Sequence, residues 1–202
     1  GYAWGQKQLE DFWTDIMELQ RDPEKDVYQT HYTGMIYLET MDSGALHESE
    51  KWATNLDSIF LRIVDGQQRL TTIVILLFCL LKRQQDGFGE MTFEDIYKNF
   101  ISVENRNKTS HVFRFAYEGD SRNFLFKEIF EDNTVIETGD ITVYTENLKN
   151  AKQFFMDKLD SISIDECEVV FFKVIRSLRF DVRNLSGEFD VQAVFETMNN
   201  RG

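Results

Sequence analysis

Apolar residues recur at helical spacing along much of the chain. Residues 6–20 show this pattern most clearly, with one face formed by Leu9, Phe12, Trp13, Ile16 and Leu19. Residues 145–159 repeat it, and residues 91–101 and 121–130 are predicted to be further helices. Residues 190–199 begin with an aspartate that suits an N-cap, which predicts one more helix.

Short runs of β-branched and aromatic residues predict strands between these helices. The predicted strands cover residues 31–40, 59–64, 112–116 and 168–175. Polar residues 41–55 are predicted to form an exposed loop. Residues 68–84 are apolar on nearly every side, which predicts a helix buried at the centre of the fold. The elements indicate an α+β protein with a small mixed sheet, this buried central helix and additional packed helices.

The composition shows that the chain can form a sizeable core. Of its 202 residues, 42% are hydrophobic and 14% are aromatic, and there is a single proline. Such a chain is neither disordered nor rich in linkers. We therefore expect one compact domain over residues 1–202.

The charge balance is strongly acidic, with 35 Asp and Glu against 22 Lys and Arg and a net charge of -13. Proteins that grip duplex DNA usually present a basic surface. The nearest approach to one is Arg176, Arg179 and Arg183, and Asp181 interrupts it. A solvated strand edge, or ion pairs with Asp181 and Glu188, explains these arginines better. We do not expect this segment to bind DNA tightly by itself.

Cysteine usage and the length of the apolar runs predict a cytoplasmic protein. Cys79 and Cys167 are far apart in sequence, which suits buried reduced thiols and not a disulfide framework. The longest apolar run, residues 73–81, is about half as long as a bilayer span. No export leader is visible, so we expect no membrane association. The first residue is not Met, and we expect the chain to be a fragment of a longer protein.

The most informative stretch is Asp65–Thr72, where a predicted strand meets the buried helix. A helix N-terminus has unpaired backbone N–H groups and a partial positive charge, and both favour anions. Gly66 permits a tight turn and close approach of a phosphate to the backbone. Arg69 adds a forked, always charged donor that suits phosphate oxygens. Thr71 and Thr72 can donate further hydrogen bonds or approach a metal.

The two glutamines of this stretch, Gln67 and Gln68, can orient a water molecule or a base edge without adding charge. The same pattern fits a plain helix start with a turn glycine and a solvated arginine, because short glycine turns before helices are common. The stretch is not a P-loop, since it lacks a Gly-Lys-Ser/Thr sequence and a second glycine at P-loop spacing.

Residues 195–202 form a second candidate site. Glu196 and Asn199 are three residues apart, so they would lie on one helix face and could bind Mg²⁺ or a ribose hydroxyl. The alternative is a capped helix end, in which Asn and Gly terminate the helix. The residues alone favour this alternative.

Ile63-Val64-Asp65-Gly66-Gln67-Gln68-Arg69-Leu70-Thr71-Thr72 resembles the signature of the GmrSD-type restriction endonuclease N-terminal domain family. Other features follow in that family's order. They are Tyr2 and Trp4 before a helix ending at Asp15-Ile16, the strand Tyr32–Ile36 with its glycine, and Phe195-Glu196 with Asn199 and Arg201-Gly202. The resemblance implies a fold similar to the ParB and sulfiredoxin group.

The family resemblance implies a domain that binds, and in some members hydrolyses, nucleoside triphosphates in modification-dependent restriction or phage-defence systems. A separate HNH-type nuclease domain would cut DNA, and nucleotide turnover in the present domain would regulate it. The cofactors implied are Mg²⁺ and a nucleoside triphosphate, with GTP the first base to test. The sequence leaves open whether the chain is itself an Mg²⁺-dependent NTPase.

The resemblance also assigns roles by position. The nucleotide loop would be Asp65, Gly66, Gln67, Gln68 and Arg69, and the candidate catalytic residues would be Asp65, Gln67, Gln68 and Arg69. Further nucleotide contacts would come from Thr71, Thr72, Asn199 and Arg201, and the metal ligands would be Glu196 and Asn199. The family's usual Ile-Pro and Gln-Arg before the tyrosine and tryptophan fall outside this chain, which therefore is expected to lack the first strand region.

Two other functions remain open from sequence. The first is a non-catalytic interaction module, in which the loop has a structural role and the acidic surface docks a basic partner. The second is direct ParB-like nuclease activity, against which the net charge of -13 counts. The chain contains no His-Asn-His constellation, so we do not predict DNA cleavage by it.

Overall fold

Helices contain more residues than strands in the structure, a computed structural model that describes residues 1–56 and 59–186. The helices are α1 (Gln6–Met17), α2 (Gln67–Arg83), α3 (Phe93–Phe100), α4 (Ser121–Phe124, continued by a π-helical turn over Leu125–Ile129), α5 (Val143–Asp160) and α6 (Ile164–Ser177). The strands are β1 (Arg21–Asp22), β2 (Val27–Tyr28), β3 (His31–Thr40), β4 (Leu61–Asp65), β5 (Ser102–Glu104), β6 (His111–Phe113) and β7 (Leu178–Asn184). Short 3₁₀ helices cover Ser43–Ala45 and Glu48–Leu56.

The chain divides into two units. The first comprises residues 1–31, 68–103 and 113–178 and contains the α-helices almost entirely. The second comprises residues 32–67, residues 104–112 and the described residues from Arg179 onward. The prediction of a single domain over the whole chain stays a prediction.

The core of the first unit is built on the amphipathic face of α1. Leu9, Phe12, Trp13 and Ile16 are buried, as their helical spacing predicts, and α1 packs against α5 and α6. Phe155 of α5 lies edge-on to Phe12, with ring centroids 6.2 Å apart, and 6.3 Å from Trp13. Each buried aromatic ring removes a large apolar area from water, so this cluster is a main source of stability for the unit.

Helix α2 is the buried central helix that the sequence predicts. Its residues from Ile75 to Leu81 are all buried, so it has no solvated face over this stretch. Phe78 packs against Phe130 at 5.7 Å between ring centroids. The structure also confirms the helices predicted over residues 91–101, 121–130 and 145–159.

The strand predicted over residues 168–175 is wrong, because these residues belong to helix α6. Cys167, Val170, Phe171 and Val174 are buried at the spacing of one helix face. Ser163 caps the helix: its hydroxyl accepts from the backbone N–H of Glu166, whose carboxylate accepts from the backbone N–H of Ser163. The β-branched and aromatic residues suggested a strand, but the cap and the helical period decide the conformation.

Two other element predictions need correction. The polar segment 41–55, predicted to be an exposed loop, contains the 3₁₀ helix Glu48–Leu56, where Glu50 and Ala53 are buried. Trp52 in that helix donates an N–H bond to the hydroxyl of Ser110 at 3.1 Å, and this contact holds the segment in place. The strand predicted over residues 112–116 is β6, which ends at Phe113. The helix predicted over residues 190–199 lies outside the described residues.

The second unit contains a three-stranded sheet with the order β4-β3-β7. Strands β3 and β4 are antiparallel, with Thr40 opposite Leu61 and Tyr37 opposite Asp65. The register shifts between Tyr37 and Leu38, so the irregular end of the pairing lies where β4 finishes. The helices and small sheets confirm the α+β class; the ParB and sulfiredoxin likeness stays a prediction. Within the described residues, no helix is both long and apolar enough to cross a bilayer.

We expect Phe155→Ala to lower the free energy of unfolding by about 3–5 kcal/mol, because it removes a fully buried ring and leaves a cavity. Val143→Ala is a matched control on the same helix, since the Val143 side chain is 62% exposed, and it should change stability by less than about 0.5 kcal/mol. Chemical denaturation measures both. Equal losses in the two variants would contradict the assignment of the core.

Candidate functional site

Gly66 is the turning point between strand β4, which ends at Asp65, and helix α2, which begins at Gln67. Its φ is +98°, a conformation that disfavours side chains. A Cβ atom at this position would lie 3.1 Å from both the Ile36 Cγ1 atom and the Met35 carbonyl oxygen. The backbone is therefore packed closely here, and both conformation and space require glycine.

Short hydrogen bonds hold the turn around Gly66. The Asp65 carboxylate accepts from the backbone N–H of Gly66 at 2.8 Å. The side-chain amide of Gln67 donates to the carbonyl of Ile63 at 3.0 Å. Asp65 and Gln67 thus stabilise the turn that follows strand β4.

Arg69 lies in the first turn of α2 and its side chain is exposed. No described residue forms an ion pair or hydrogen bond with its guanidinium. The first turn of this 17-residue helix contains no acidic residue. The charge of Arg69 therefore adds to the positive end of the helix dipole, and the Asp65 carboxylate at the Gly66 N–H offsets part of it.

Gln68 has a different environment, because its amide contacts the first residues of the chain. Its Oε1 atom accepts from the backbone N–H of Ala3 at 2.8 Å, and its Nε2 atom donates to the Gly1 carbonyl at 2.9 Å. Both ends of the amide are thereby used by the protein itself. The amide retains a second N–H and a second acceptor lone pair, and the sequence prediction that Gln68 orients a water molecule or a base edge stays a prediction.

Thr71 and Thr72 are fully buried and bond to two tyrosines. The Thr71 hydroxyl lies 2.8 Å from the Tyr117 hydroxyl, and the Thr72 hydroxyl lies 2.7 Å from that of Tyr2. Burial raises the pKa of Tyr2 to about 12 and raises that of Tyr117 as well. These contacts give both threonines an internal structural role beneath the motif.

The remaining predicted site residues, Glu196, Asn199 and Arg201, lie outside the described residues. The structure therefore does not bring them together with the loop or separate them from it. Among residues 1–56 and 59–186, no group of three His, Cys, Asp or Glu side chains could hold a metal ion. The metal prediction stays a prediction.

The whole sequence, residues 1–202, matches the protein family described as GmrSD restriction endonuclease, N-terminal domain. The chain belongs to this family. No curated protein matches the sequence. Family membership supports the restriction-system part of the sequence prediction, and nucleotide binding by this GmrSD N-terminal domain stays a prediction.

The sequence did not predict which residues of this GmrSD N-terminal domain bond the buried threonines Thr71 and Thr72. No sequence pattern pointed to Tyr117, and Tyr2 was identified only as one of the first residues in the family resemblance. Asn147 was also missed; its side-chain amide donates to the Tyr2 carbonyl at 3.2 Å. The available signal was the pair of threonines on an otherwise apolar helix, because buried hydroxyls need polar partners.

Other candidates from the sequence have structural roles. Cys79 and Cys167 are buried free thiols, as predicted, and burial raises the pKa of Cys79 to about 12. Arg183 pairs with Asp181 at 3.1 Å, which confirms the predicted ion pair. The Arg176 guanidinium lies 4.2 Å from the centre of the Phe172 ring, so this arginine stacks on its own helix.

We expect Gly66→Ala to destabilise the domain by more than Gly119→Ala. Both glycines have positive φ, +98° and +77°, but a Cβ at Gly119 would meet nothing within 4 Å. Gly119→Ala should cost roughly 1–2 kcal/mol from backbone strain, and Gly66→Ala should add the cost of crowding Ile36 and Met35. Chemical denaturation tests this, and equal losses would show that space at Gly66 is unimportant.

The pKa of Tyr2 predicts a loss of stability at alkaline pH. Its folded-state value of about 12 lies above the ordinary 10.0, so the folded protein binds this proton more tightly. The contribution is complete below pH 10.0 and is lost as the pH rises toward about 12. Tyr2→Phe should make the fall of the unfolding free energy in this range shallower, by at most ~1.4 kcal/mol per pH unit. Identical slopes in denaturation series would contradict this.

Proposed function

We propose that this chain is the nucleotide-binding regulatory domain of a modification-dependent restriction or phage-defence protein. The segment Asp65–Arg69 would bind the phosphates of a nucleoside triphosphate. The observation that carries the proposal is Arg69, which is exposed and has no partner among the described residues, at the first turn of a long buried helix.

The local charge supports phosphate binding. The chain has a net charge of -13, yet the first turn of α2 has no acidic side chain. Backbone N–H groups at a helix start lack partners within the helix, and the dipole favours negative charge there. A guanidinium can bond two phosphate oxygens at once. Together these donors suit a polyphosphate better than a neutral ligand.

The close packing at Gly66 also supports a phosphate loop. The absence of a side chain at Gly66 lets the backbone turn tightly against Met35 and Ile36, so that helix α2 begins directly after the strand and a phosphate could approach the N–H groups of its first turn. We assign Thr71 and Thr72 to supporting positions, because their hydroxyls already bond to tyrosines. We extend the proposal to a ParB and sulfiredoxin-like fold, supported by the sequence of strand, glycine turn and buried helix.

The proposal includes Mg²⁺ because the candidate ligands supply oxygen atoms. Glu196 and Asn199 offer oxygen ligands, which Mg²⁺ prefers. A bound ion would neutralise phosphate charge. Hydrolysis is also included, with Arg69 and the helix N-terminus stabilising negative charge on the phosphates. We do not assign Gln68 a water-positioning role, because its amide bonds Gly1 and Ala3.

The proposed partners follow from the family and the charge. An HNH-type nuclease domain or subunit would cut DNA, and the nucleotide state of this domain would regulate the cut. The acidic balance of the chain makes it a poor surface for DNA by itself, so DNA would be bound elsewhere in the full protein. The proposed location is the cytoplasm, where triphosphates are present.

We expect GTP, ATP, CTP or UTP to bind the 202-residue chain in the presence of Mg²⁺, as measured by calorimetric titration. Arg69→Ala should weaken the affinity by roughly tenfold to a hundredfold, since hydrogen bonds to charged groups are among the strong ones. Arg106→Ala is a matched control, because Arg106 is also exposed and has no partner among the described residues.

Equal nucleotide affinity in the wild type and in Arg69→Ala would show that the segment Asp65–Arg69 is not part of the binding site. Absence of binding by all four nucleotides would overturn the proposal and favour an interaction module. A similar loss in Arg69→Ala and Arg106→Ala would indicate a nonspecific effect of charge.

A further inference from the structure

Gln68 and Asn147 hold the two edges of the segment Gly1–Ala3. In an extended chain, the carbonyl of one residue and the N–H of the residue two positions later point to the same side. The Gln68 amide bonds this pair of groups on Gly1 and Ala3, at 2.9 and 2.8 Å, as a neighbouring strand would. Asn147 donates to the Tyr2 carbonyl at 3.2 Å from helix α5. We call these three contacts the N-terminal clamp.

The Tyr2 side chain connects the clamp to the backbone of the motif. The Thr72 hydroxyl donates to the Gln68 carbonyl at 2.8 Å, and a hydroxyl has one proton to give. The Tyr2 hydroxyl must therefore be the donor in its 2.7 Å bond with Thr72. A chain of hydrogen bonds thus runs from Tyr2 through Thr72 to the Gln68 backbone, and Gln68 is held by both its carbonyl and its side chain.

The clamp acts on the turn that carries Arg69. Gln68 is the neighbour of Arg69, and the first-turn N–H groups that would face a phosphate belong to the same turn. The bonds from the Gln68 amide are exposed, whereas Tyr2 is completely buried. Tyr2 therefore anchors the segment in the core, and because exposed hydrogen bonds contribute little each, the two Gln68 bonds can open and close without unfolding of the core.

We propose that Gln68 is a positioning residue, which orients the first turn of α2 by holding Gly1–Ala3, so that docking of this segment and phosphate binding favour each other. This inference rests on the proposed function of the loop. Because coupling between two sites is reciprocal, a bound polyphosphate tightens the clamp, and an opened clamp weakens polyphosphate binding.

The test compares Gln68→Ala with Asn147→Ala in the 202-residue chain. Inorganic tripolyphosphate and the nucleotide that binds the wild type serve as probes. Both variants should weaken binding by roughly threefold to tenfold, since each removes one edge of the clamp. Asn147 is on α5, so a loss in its variant cannot come from a missing direct contact of Gln68 with the ligand. Far-ultraviolet circular dichroism verifies that both variants are folded.

Hydrogen exchange of the Ala3 amide, followed by NMR, is the second readout. It should become faster in Gln68→Ala without ligand, and in the wild type it should become slower when tripolyphosphate is added. Arg69→Ala should leave the ligand-free exchange rate unchanged and should abolish the slowing.

The outcomes separate the two proposals. If the wild type binds and Arg69→Ala does not, while Gln68→Ala and Asn147→Ala bind normally, the positioning role is overturned and the phosphate loop stands. A loss in Gln68→Ala alone would make Gln68 a direct ligand and also overturn the inference. If the wild type binds no probe, both the loop and the coupling are overturned.

Discussion

The burial of helix α2 is the constraint on which the rest of the site depends. Residues Ile75 to Leu81 are buried in succession, so the helix can lie only in the interior of its unit. Its first turn must then satisfy hydroxyls that are also inside, and Tyr2 and Tyr117 do so through Thr72 and Thr71. These bonds tie the first turn of α2 to the interior of the unit.

The sequence was sufficient to predict the elements whose apolar residues recur periodically and the tight turn at Gly66. The α1 face, the buried α2 helix and strand β3 were predicted from spacing alone, and Gly66 was predicted as a tight turn. Helix α6 was mistaken for a strand because residues 168–175 favour β structure locally, whereas its cap at Ser163 lies five residues before that segment. The capped helix start and the helical spacing of the buried residues outweighed the β preference there.

The distribution of roles within the motif could not be read from sequence, because it depends on contacts between distant residues. Gln67 and Gln68 are adjacent and chemically identical, yet one bonds Ile63 and the other bonds Gly1 and Ala3. Thr71 and Thr72 looked like ligands and are interior groups. Arg69 alone of these polar residues is exposed and without a partner among the described residues. The structure thus separates the residues that build the turn from the one that can meet an anion.

The most direct measurement is an NMR titration of the isotope-labelled chain with a nonhydrolysable triphosphate analogue, following backbone amides. The account predicts that the largest shifts occur at Gln67, Gln68 and Arg69, whose N–H groups have no partner within the helix and would donate to phosphate. It also predicts a smaller shift at Ala3, which the Gln68 amide bonds. Shifts centred elsewhere, with the amides of residues 67–69 unchanged, would contradict the central claim that this helix start binds the nucleotide.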